Sequence, residues 1–290
     1  MPPETAALPL DPVVLPRNFG LDDAAFERIA DLVRREAGIK LSKSKSNLIV
    51  SRLGRRMKAL NMTQFQSYLD FVSTDAGRGE RRKMLSLLTT NVTRFYREPH
   101  HFDALRETVL PPLLARAKGG GPVRIWSAGC STGAEPLSIG VEILRQCPDA
   151  CDLDIRILAS DLDPVSLRMA SDAIYDSTEI VDRVPPDLAA LYFEQMDDGK
   201  SMRARPVLRD LITYAELNLV GPWPMERSFD VIFCRNVVIY FDKDTQADLW
   251  PRFADALMRG GMLFIGHSER LSGAGETRFE PVGITQYRRI

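Results

Sequence analysis

A chain of 290 residues, 44 % of them hydrophobic and 27 % charged, can bury one large core or two smaller ones. No apolar run approaches the ~20 residues of a membrane span and no signal peptide opens the chain, so we expect a cytoplasmic protein without direct membrane insertion. The net charge is −1, but the charges are unevenly distributed along the chain. Residues 1–121 hold 20 basic and 13 acidic residues, whereas the rest of the chain holds 18 basic and 26 acidic residues. This asymmetry predicts two modules, the first of which faces an acidic partner.

The first ninety residues predict a flexible arm followed by helices. Residues 1–20 carry five prolines in their first sixteen positions, which is typical of a loose arm. Apolar spacing then predicts an all-helical N-terminal domain over 21–90. Its four helices run from Asp22 or Asp23 to Gly38, from about Lys45 to Leu60, from a Thr63–Gln66 capping box, and from Arg78 to Leu88.

The second of these helices carries a basic face. Arg52, Arg55 and Arg56 follow one another at i, i+3 and i+4, on a different face from the apolar side chains. We expect these arginines to dock an acidic substrate. The alternatives are a solvated helix face and a nucleic-acid surface.

From Pro122 onward, short apolar strands alternate with amphipathic helices. The predicted strands cover 123–127, 154–159, 229–234 and 261–266. This alternation predicts an α/β fold with a parallel, doubly wound sheet. A small antiparallel hairpin is expected as an insertion at about 192–218, around Asp198-Gly199, and two antiparallel strands joined at Val282-Gly283 close the chain.

The stretch "IWSAGCSTGAEPLSIG" (125–140) reads as strand, glycine turn and helix, beginning a βαβ unit. It also contains G-x-S-x-G, the elbow that presents the nucleophile of an α/β-hydrolase, with His267 available downstream of Ser131. Two features disfavour the hydrolase: the preceding chain is helical, and no HGGG-type segment precedes the serine. The stretch therefore favours a cofactor turn.

The residues around this turn favour one cofactor. Asp161 ends the next predicted strand, where an acidic side chain holds ribose hydroxyls. The turn lacks the third glycine of a dinucleotide fingerprint, which disfavours NAD. Glu135, at the helix start, suits the ammonium of a methionyl group, although it would also complement the helix dipole. Together these residues favour S-adenosylmethionine.

Three segments carry a family resemblance: "TTNVTRFYREPHHF" (89–102), "RIWSAGCSTGAEPLSIG" and "FDVIFCRNVVIYFD" (229–242). They resemble the CheR family, the chemotaxis receptor glutamate methyltransferases, over about residues 20–290. The resemblance implies a Rossmann-like methyltransferase domain over 91–290, behind the helical domain and with a small inserted antiparallel β-subdomain. One departure is Ala134, where many members have an acidic residue.

The resemblance also implies ligands and site residues. S-adenosylmethionine would be the cofactor, S-adenosylhomocysteine the product and receptor cytoplasmic helices the substrate, with no nucleic acid and a monomeric enzyme. The implied cofactor contacts come from the turn, from strand ends and from the "NVTR" segment: Asn91, Thr93, Arg97, Gly129, Glu135, Asp161 at the ribose, Asn218-Leu219 at the adenine, and Asn236-Val237 closing the pocket.

Methyl transfer to glutamate requires the enzyme to position the carboxylate and the methyl group more than it requires acid–base catalysis, because a glutamate carboxylate is already ionised at pH 7. Arg97 is our candidate for aligning the substrate carboxylate, since a guanidinium matches its shape; a surface ion pair with Glu98 or Glu107 is the alternative. Tyr240 is expected to bond the nucleophile or line the methyl path, with core packing as its alternative.

A base methyltransferase would need a DPPY-like segment, which "RNVVIYF" lacks; a cofactor-sensing module is a second alternative. No metal is expected, because His100 and His101 begin a helix and no third ligand is evident. Cys147 and Cys151 are expected as free thiols, with a disulfide as the alternative.

Some family members grip a short C-terminal receptor peptide by adding it as a strand to the β-subdomain. Here the hairpin holds a single glycine, Gly199, and Pro206 lacks the N–H that an added strand would need. We therefore expect this chain to recognise the methylation region directly, without a tether peptide.

Overall fold

The structure, a computed structural model, describes residues 20–226 and 228–290. The predicted arm lies outside the described residues except for Gly20. The chain divides into two compact units, one holding Ser42–Met84 with the chain up to Ile29, the other holding Ala30–Leu41 with Leu85–Ile290.

The helices at the start of the chain form as their apolar periods predict. They are α1 Asp23–Ala37, α2 Ser46–Ala59, α3 Phe65–Ser73 and α4 Arg78–Leu88. The Asp22 carboxylate accepts the Ala25 N–H at 2.7 Å and thus caps α1. The predicted capping box on α3 is wrong: Gln64 is the N-cap, without a side-chain cap, and the Gln66 side chain accepts a hydrogen bond from Arg28.

The second unit is built on a seven-stranded sheet in the order β6-β2-β1-β7-β8-β10-β9. Its strands are β1 Val123–Ala128, β2 Ile155–Asp161, β6 Ile212–Glu216, β7 Phe229–Cys234, β8 Leu257–Ile265, β9 Phe279–Gly283 and β10 Gln286–Arg289. The first five in that order run parallel, and the last two pair antiparallel as predicted. Their turn lies at Ile284-Thr285, two residues beyond the predicted one.

Helices cover both faces of this sheet. They are α5 Pro99–Ala104, continued through a π turn into α6 Leu110–Lys118, then α7 Ala134–Gln146, α8 Pro164–Asp172, α9 Ser177–Val181, α10 Pro186–Tyr192, α11 Pro206–Arg209 and α12 Lys243–Ala256. Successive side chains of β1 enter opposite cores: Ile125 packs in the cluster that includes α7, and Trp126 packs with Trp250 and Phe253 of α12. The sheet is therefore buried on both faces, and the carboxyl ends of its parallel strands lie at one edge.

A separate three-stranded antiparallel sheet lies between β2 and β6 in the sequence. It consists of β3 Ile174–Asp176, β5 Ser201–Ala204 and β4 Phe193–Gln195, in that order. The extent predicted for it, 192–218, is wrong at both ends: β3 joins from upstream, and β6 pairs with β2 instead, matching Ile212 to Ile157. A local strand pattern does not specify the partner strand, which explains the difference.

The turn and the proline of this insertion can now be placed. Gly199, at φ +64°, and the Asp198 carboxylate, which accepts two backbone N–H groups, close the β4–β5 hairpin. Pro206 begins α11, outside the strands, so the argument from its missing N–H does not apply.

The four cysteines are free thiols, which leaves Cys147 and Cys151 unbridged. Within residues 20–226 and 228–290, no helix has both the length and the apolar character needed to cross a membrane.

Candidate functional site

Five strand ends meet at one edge of the sheet, because β6, β2, β1, β7 and β8 run parallel. Seven of the ten predicted cofactor residues end or follow these strands. Ligands of open α/β sheets bind at this edge. The segment from Asn91 to His101 adds the remaining candidates.

The turn after β1 depends on its glycines. Gly129 has φ +78°, and a Cβ added there would lie 2.4 Å from Val237 Cγ2. The N–H groups of Gly129 and Cys130 donate to the Ser160 carbonyl at 2.8 and 2.9 Å. The turn therefore packs directly against the loop after β7 and presents the start of α7 to the edge.

Glu135, in the first turn of α7, is buried, and both of its oxygens have partners. Oε1 accepts a hydrogen bond from Ser127 at 2.6 Å, and Oε2 accepts one from Nε of Arg235 at 2.8 Å. The sequence analysis did not name Arg235. A carboxylate has about four acceptor positions, so Glu135 can still accept from a ligand ammonium.

Arg235 directly follows β7, and its side chain contacts several of the surrounding site residues. Its side chain is 2 % exposed, and its Nη1 donates to the Arg97 carbonyl and lies 3.2 Å from Nδ1 of His101 and 3.6 Å from Oε2 of Glu98. One guanidinium thus fixes the helix carrying Glu135 and the segment carrying Arg97. The side chain of Arg97 itself is half-buried, with Nη1 3.1 Å from the Val92 carbonyl.

Asp161 ends β2, and the backbone of two neighbouring loops orients its carboxylate. Oδ2 accepts from the Ser131 N–H at 2.8 Å and Oδ1 from the Asp163 N–H at 2.9 Å. Burial raises the pKa of Asp161 above its ordinary value, although these hydrogen bonds oppose the shift. A carboxylate has about four acceptor positions, so Asp161 can still accept a hydroxyl.

Asn91 has a structural role that the sequence analysis did not foresee. Its side chain donates to Asp163 at 2.6 Å and to Ser166 at 2.8 Å, and its carbonyl accepts the Ser131 hydroxyl at 2.9 Å. The hydroxyl of a hydrolase nucleophile would pair with its histidine instead. His267 bonds Glu98 at 2.9 Å, so the contacts of Ser131 favour the cofactor turn. Thr93, two residues beyond Asn91, is half-buried.

Asn218 and Leu219 follow β6 at the same edge. The Asn218 side chain donates to the Glu36 carbonyl at 2.6 Å and accepts the Val220 N–H at 3.0 Å. Leu219 is buried in the core, and its carbonyl accepts from Trp223. These contacts fix the backbone of the pair where the adenine was predicted.

The loop after β7 holds the last predicted cofactor pair. Asn236 has φ +60°, and its buried Oδ1 has no hydrogen-bond partner among the described residues. A ligand donor fits such an acceptor, because a buried polar atom without a partner is costly. Val237 is half-buried beside Gly129, and Tyr240 is half-buried at the end of the loop, its carbonyl accepting the Lys40 N–H at 2.8 Å.

Glu269, which the sequence analysis missed, holds this loop in shape. Its buried carboxylate accepts the N–H groups of Asn236, Val237, Val238 and Ile239 at 2.8–3.2 Å, and that of Gly266. Its sequence signal is a glutamate in "GHSE", directly after an apolar strand.

The three predicted docking arginines of α2 differ in their surroundings. Nε and Nη2 of Arg56 donate to the two oxygens of buried Glu80 at 2.7 and 2.6 Å, and the Tyr68 hydroxyl donates to Glu80 at 3.1 Å. Arg55 is exposed and Arg52 half-buried. Arg56 therefore stabilises the helical unit through Glu80, and of the three predicted docking residues Arg52 and Arg55 lack this buried ion pair.

Comparison with known proteins agrees with this architecture. Residues 24–89 match the family described as "CheR methyltransferase, all-alpha domain", and residues 91–288 match "CheR methyltransferase, SAM binding domain". The chain is 46 % identical over 259 residues to a "Probable chemotaxis protein methyltransferase" of Rhizobium etli, covering 89 % of this chain and 96 % of that protein. It is 36 % identical over 277 residues to the "Chemotaxis protein methyltransferase" of Escherichia coli, covering 93 % and 92 %.

Proposed function

The chain belongs to the CheR methyltransferase family, and we propose that it methylates glutamate side chains of chemoreceptor cytoplasmic domains. It is a methyltransferase of chemotaxis that uses S-adenosylmethionine, and the proposed products are the glutamate methyl ester and S-adenosylhomocysteine. We further propose that it acts as a cytoplasmic monomer.

The observation that supports the proposal most directly is the set of acceptors at the sheet edge. Glu135, Asp161 and the unpartnered oxygen of Asn236 offer acceptors for an ammonium, for ribose hydroxyls and for a further N–H donor. The bound cofactor would supply an electrophilic methyl group on a sulfonium. The protein needs no general base, because a glutamate carboxylate attacks in its ionised form.

Catalysis in this proposal is positioning. Arg97 aligns the substrate carboxylate through its half-buried guanidinium, while Arg235 holds the Arg97 backbone and Glu135 in a fixed relation. Tyr240, on the loop held by Glu269, lines the path of the methyl group. The exposed face of Arg55 with Arg52 attracts the acidic receptor helices.

Labelled S-adenosylmethionine, incubated with purified receptor cytoplasmic domains and followed by peptide mapping, tests the proposal. We expect label on glutamate as a base-labile ester. Arg97→Ala should lower turnover by at least ~100-fold with a smaller loss of cofactor affinity. Arg94→Ala is the matched control, because Arg94 lies three residues earlier and is exposed.

The same assay separates the alternatives. Label on nucleic acid would identify a base methyltransferase, and cofactor binding without transfer to any receptor would identify a sensor; either result would overturn the proposal. Omitting the receptor's C-terminal peptide tests whether a tether is needed. We expect unchanged turnover without that peptide, and micromolar binding of the isolated peptide would contradict this.

A further inference from the structure

All three histidines of the chain contact or adjoin one carboxylate, that of Glu98. Glu98 lies in a left-handed turn with φ +58°, immediately before α5. This turn folds its carboxylate back toward the first residues of the helix. A third ligand that the sequence spacing did not reveal thus joins His100 and His101.

We propose that Glu98, His100 and His101 bind a divalent transition-metal ion, and that this ion opposes cofactor binding. Each residue offers one ligand atom, and the three atoms lie within 4.8 Å of one another. Carboxylate and imidazole ligands suit Zn²⁺, Co²⁺ or Ni²⁺. Metal–ligand bonds of about 2.0–2.2 Å would form after small side-chain rotations.

Two of the three residues have a buried side-chain atom that makes no hydrogen bond within the described part of the chain and could serve as a ligand. Oε2 of Glu98 and Nε2 of His100 are both buried and lack a hydrogen-bond partner among the described residues. Leaving such atoms unsatisfied costs free energy, and a native structure keeps few of them. Arg235 Nη1 lies 3.6 Å from Oε2, too far for a hydrogen bond, so a metal ion bound between the two atoms would satisfy both.

His101 is oriented as a metal ligand. Its Nε2 lies 2.8 Å from the Thr285 hydroxyl and 3.3 Å from the Ile284 carbonyl. Because a carbonyl only accepts, Nε2 carries the proton and Nδ1 keeps its lone pair, which accepts from Arg235 Nη1 at 3.2 Å in this structure and lies 3.4 Å from Oε2 of Glu98. Such an outer contact commonly fixes a ligating histidine.

Arg235 connects this group to the cofactor residues. Its Nη1 now faces Nδ1 of His101 at 3.2 Å, while its Nε bonds Glu135. A metal on Nδ1 would take that lone pair and repel the guanidinium, which would loosen Glu135. By linkage, the cofactor must then weaken metal binding by the factor by which metal weakens cofactor binding.

The test uses the untagged full-length chain, carrying Cys151→Ser to remove the half-buried thiol, and follows the visible absorption of added Co²⁺. We expect one ion per chain, and at least ~10-fold weaker binding by His100→Leu. His267→Gln is the matched control, because His267 contacts the other oxygen of Glu98 and lies outside the group. It should bind Co²⁺ normally.

Calorimetry with S-adenosylhomocysteine tests the linkage. Saturating Co²⁺ should weaken binding of this product in the parent and in His267→Gln, and leave His100→Leu unaffected. Absence of Co²⁺ binding below millimolar concentration, equal binding by His100→Leu, or cofactor affinity independent of Co²⁺ would each overturn the proposal.

Discussion

Replacing Arg56 by methionine should destabilise the helical unit, whereas the same change at Arg55 should not. Methionine keeps most of the apolar stem of Arg56 but leaves Glu80 without its paired hydrogen bonds, and the Glu80 side chain is 6 % exposed. Breaking a buried ion pair from one side costs about 3–5 kcal/mol. Because the Arg56 side chain is 26 % exposed and water screens part of the interaction, we expect a loss of about 3 kcal/mol in unfolding free energy.

Urea unfolding of the full-length chain measures this loss. Arg55→Met should change the unfolding free energy by no more than about 0.5 kcal/mol, because Arg55 is exposed on the same helix. In Arg56→Met/Glu80→Gln, removal of the buried charge should restore part of the loss. Equal effects of the two single arginine variants would refute the reasoning.

The result decides how receptor docking can be studied. Reversing Arg56 to glutamate would set two carboxylates together in a buried position, so a raised KM in that variant would report damage to the fold. Charge reversal at Arg52 and Arg55 tests docking without this complication. The variant's KM should rise, and added salt should weaken wild type more than the variant.

Three further outcomes follow from the site. Glu135→Gln and Asp161→Asn should each weaken S-adenosylhomocysteine binding by roughly 10–150-fold, measured by calorimetry; unchanged affinity in both would remove them from the cofactor site. Burial lowers the pKa of His101 in the folded chain, so as pH falls this imidazole is protonated in the unfolded chain first. The free energy of unfolding should therefore drop by about 1 kcal/mol between pH 6 and pH 5 because of this residue. Urea unfolding of His101→Asn should lack that share of the pH dependence, and an unaltered pH slope would contradict this. Glu269→Gln, which presents an amide to the backbone N–H groups of Asn236 and Gly266, should lower the unfolding free energy by about 3 kcal/mol or more and weaken cofactor binding; near-wild-type values of both would argue against its role.

Local patterns predicted the strands and the position of Asp161 well, for a physical reason. A buried parallel strand is a short apolar run, and the residue after it falls at the carboxyl edge whatever its neighbours are. Arg235 was not predicted because its role in the site depends on its bond to Glu135, which lies 100 residues away in the sequence. The ion pair of Arg56 was not predicted for the same reason, since Glu80 belongs to another helix.

Strand pairing was the other limit. The residues of β6 form a strand as predicted, yet this strand pairs with β2 of the large sheet, with Ile212 opposite Ile157. The short strand β3 has three residues, too few for a period-2 pattern to separate it from a loop. Contacts distant in sequence therefore set both the membership of the small sheet and the details of the site.

The carboxylate of Glu269 binds main-chain N–H groups, and this has a consequence for how the family can diverge. Because its bonds to positions 236–239 go to the backbone, they do not depend on the side chains there, and the exposed side chain of Ile239 can be exchanged while the loop keeps its shape. Proline is the exception, since it has no N–H to donate. A loop held this way can change its exposed surface by a single substitution that leaves the scaffold intact.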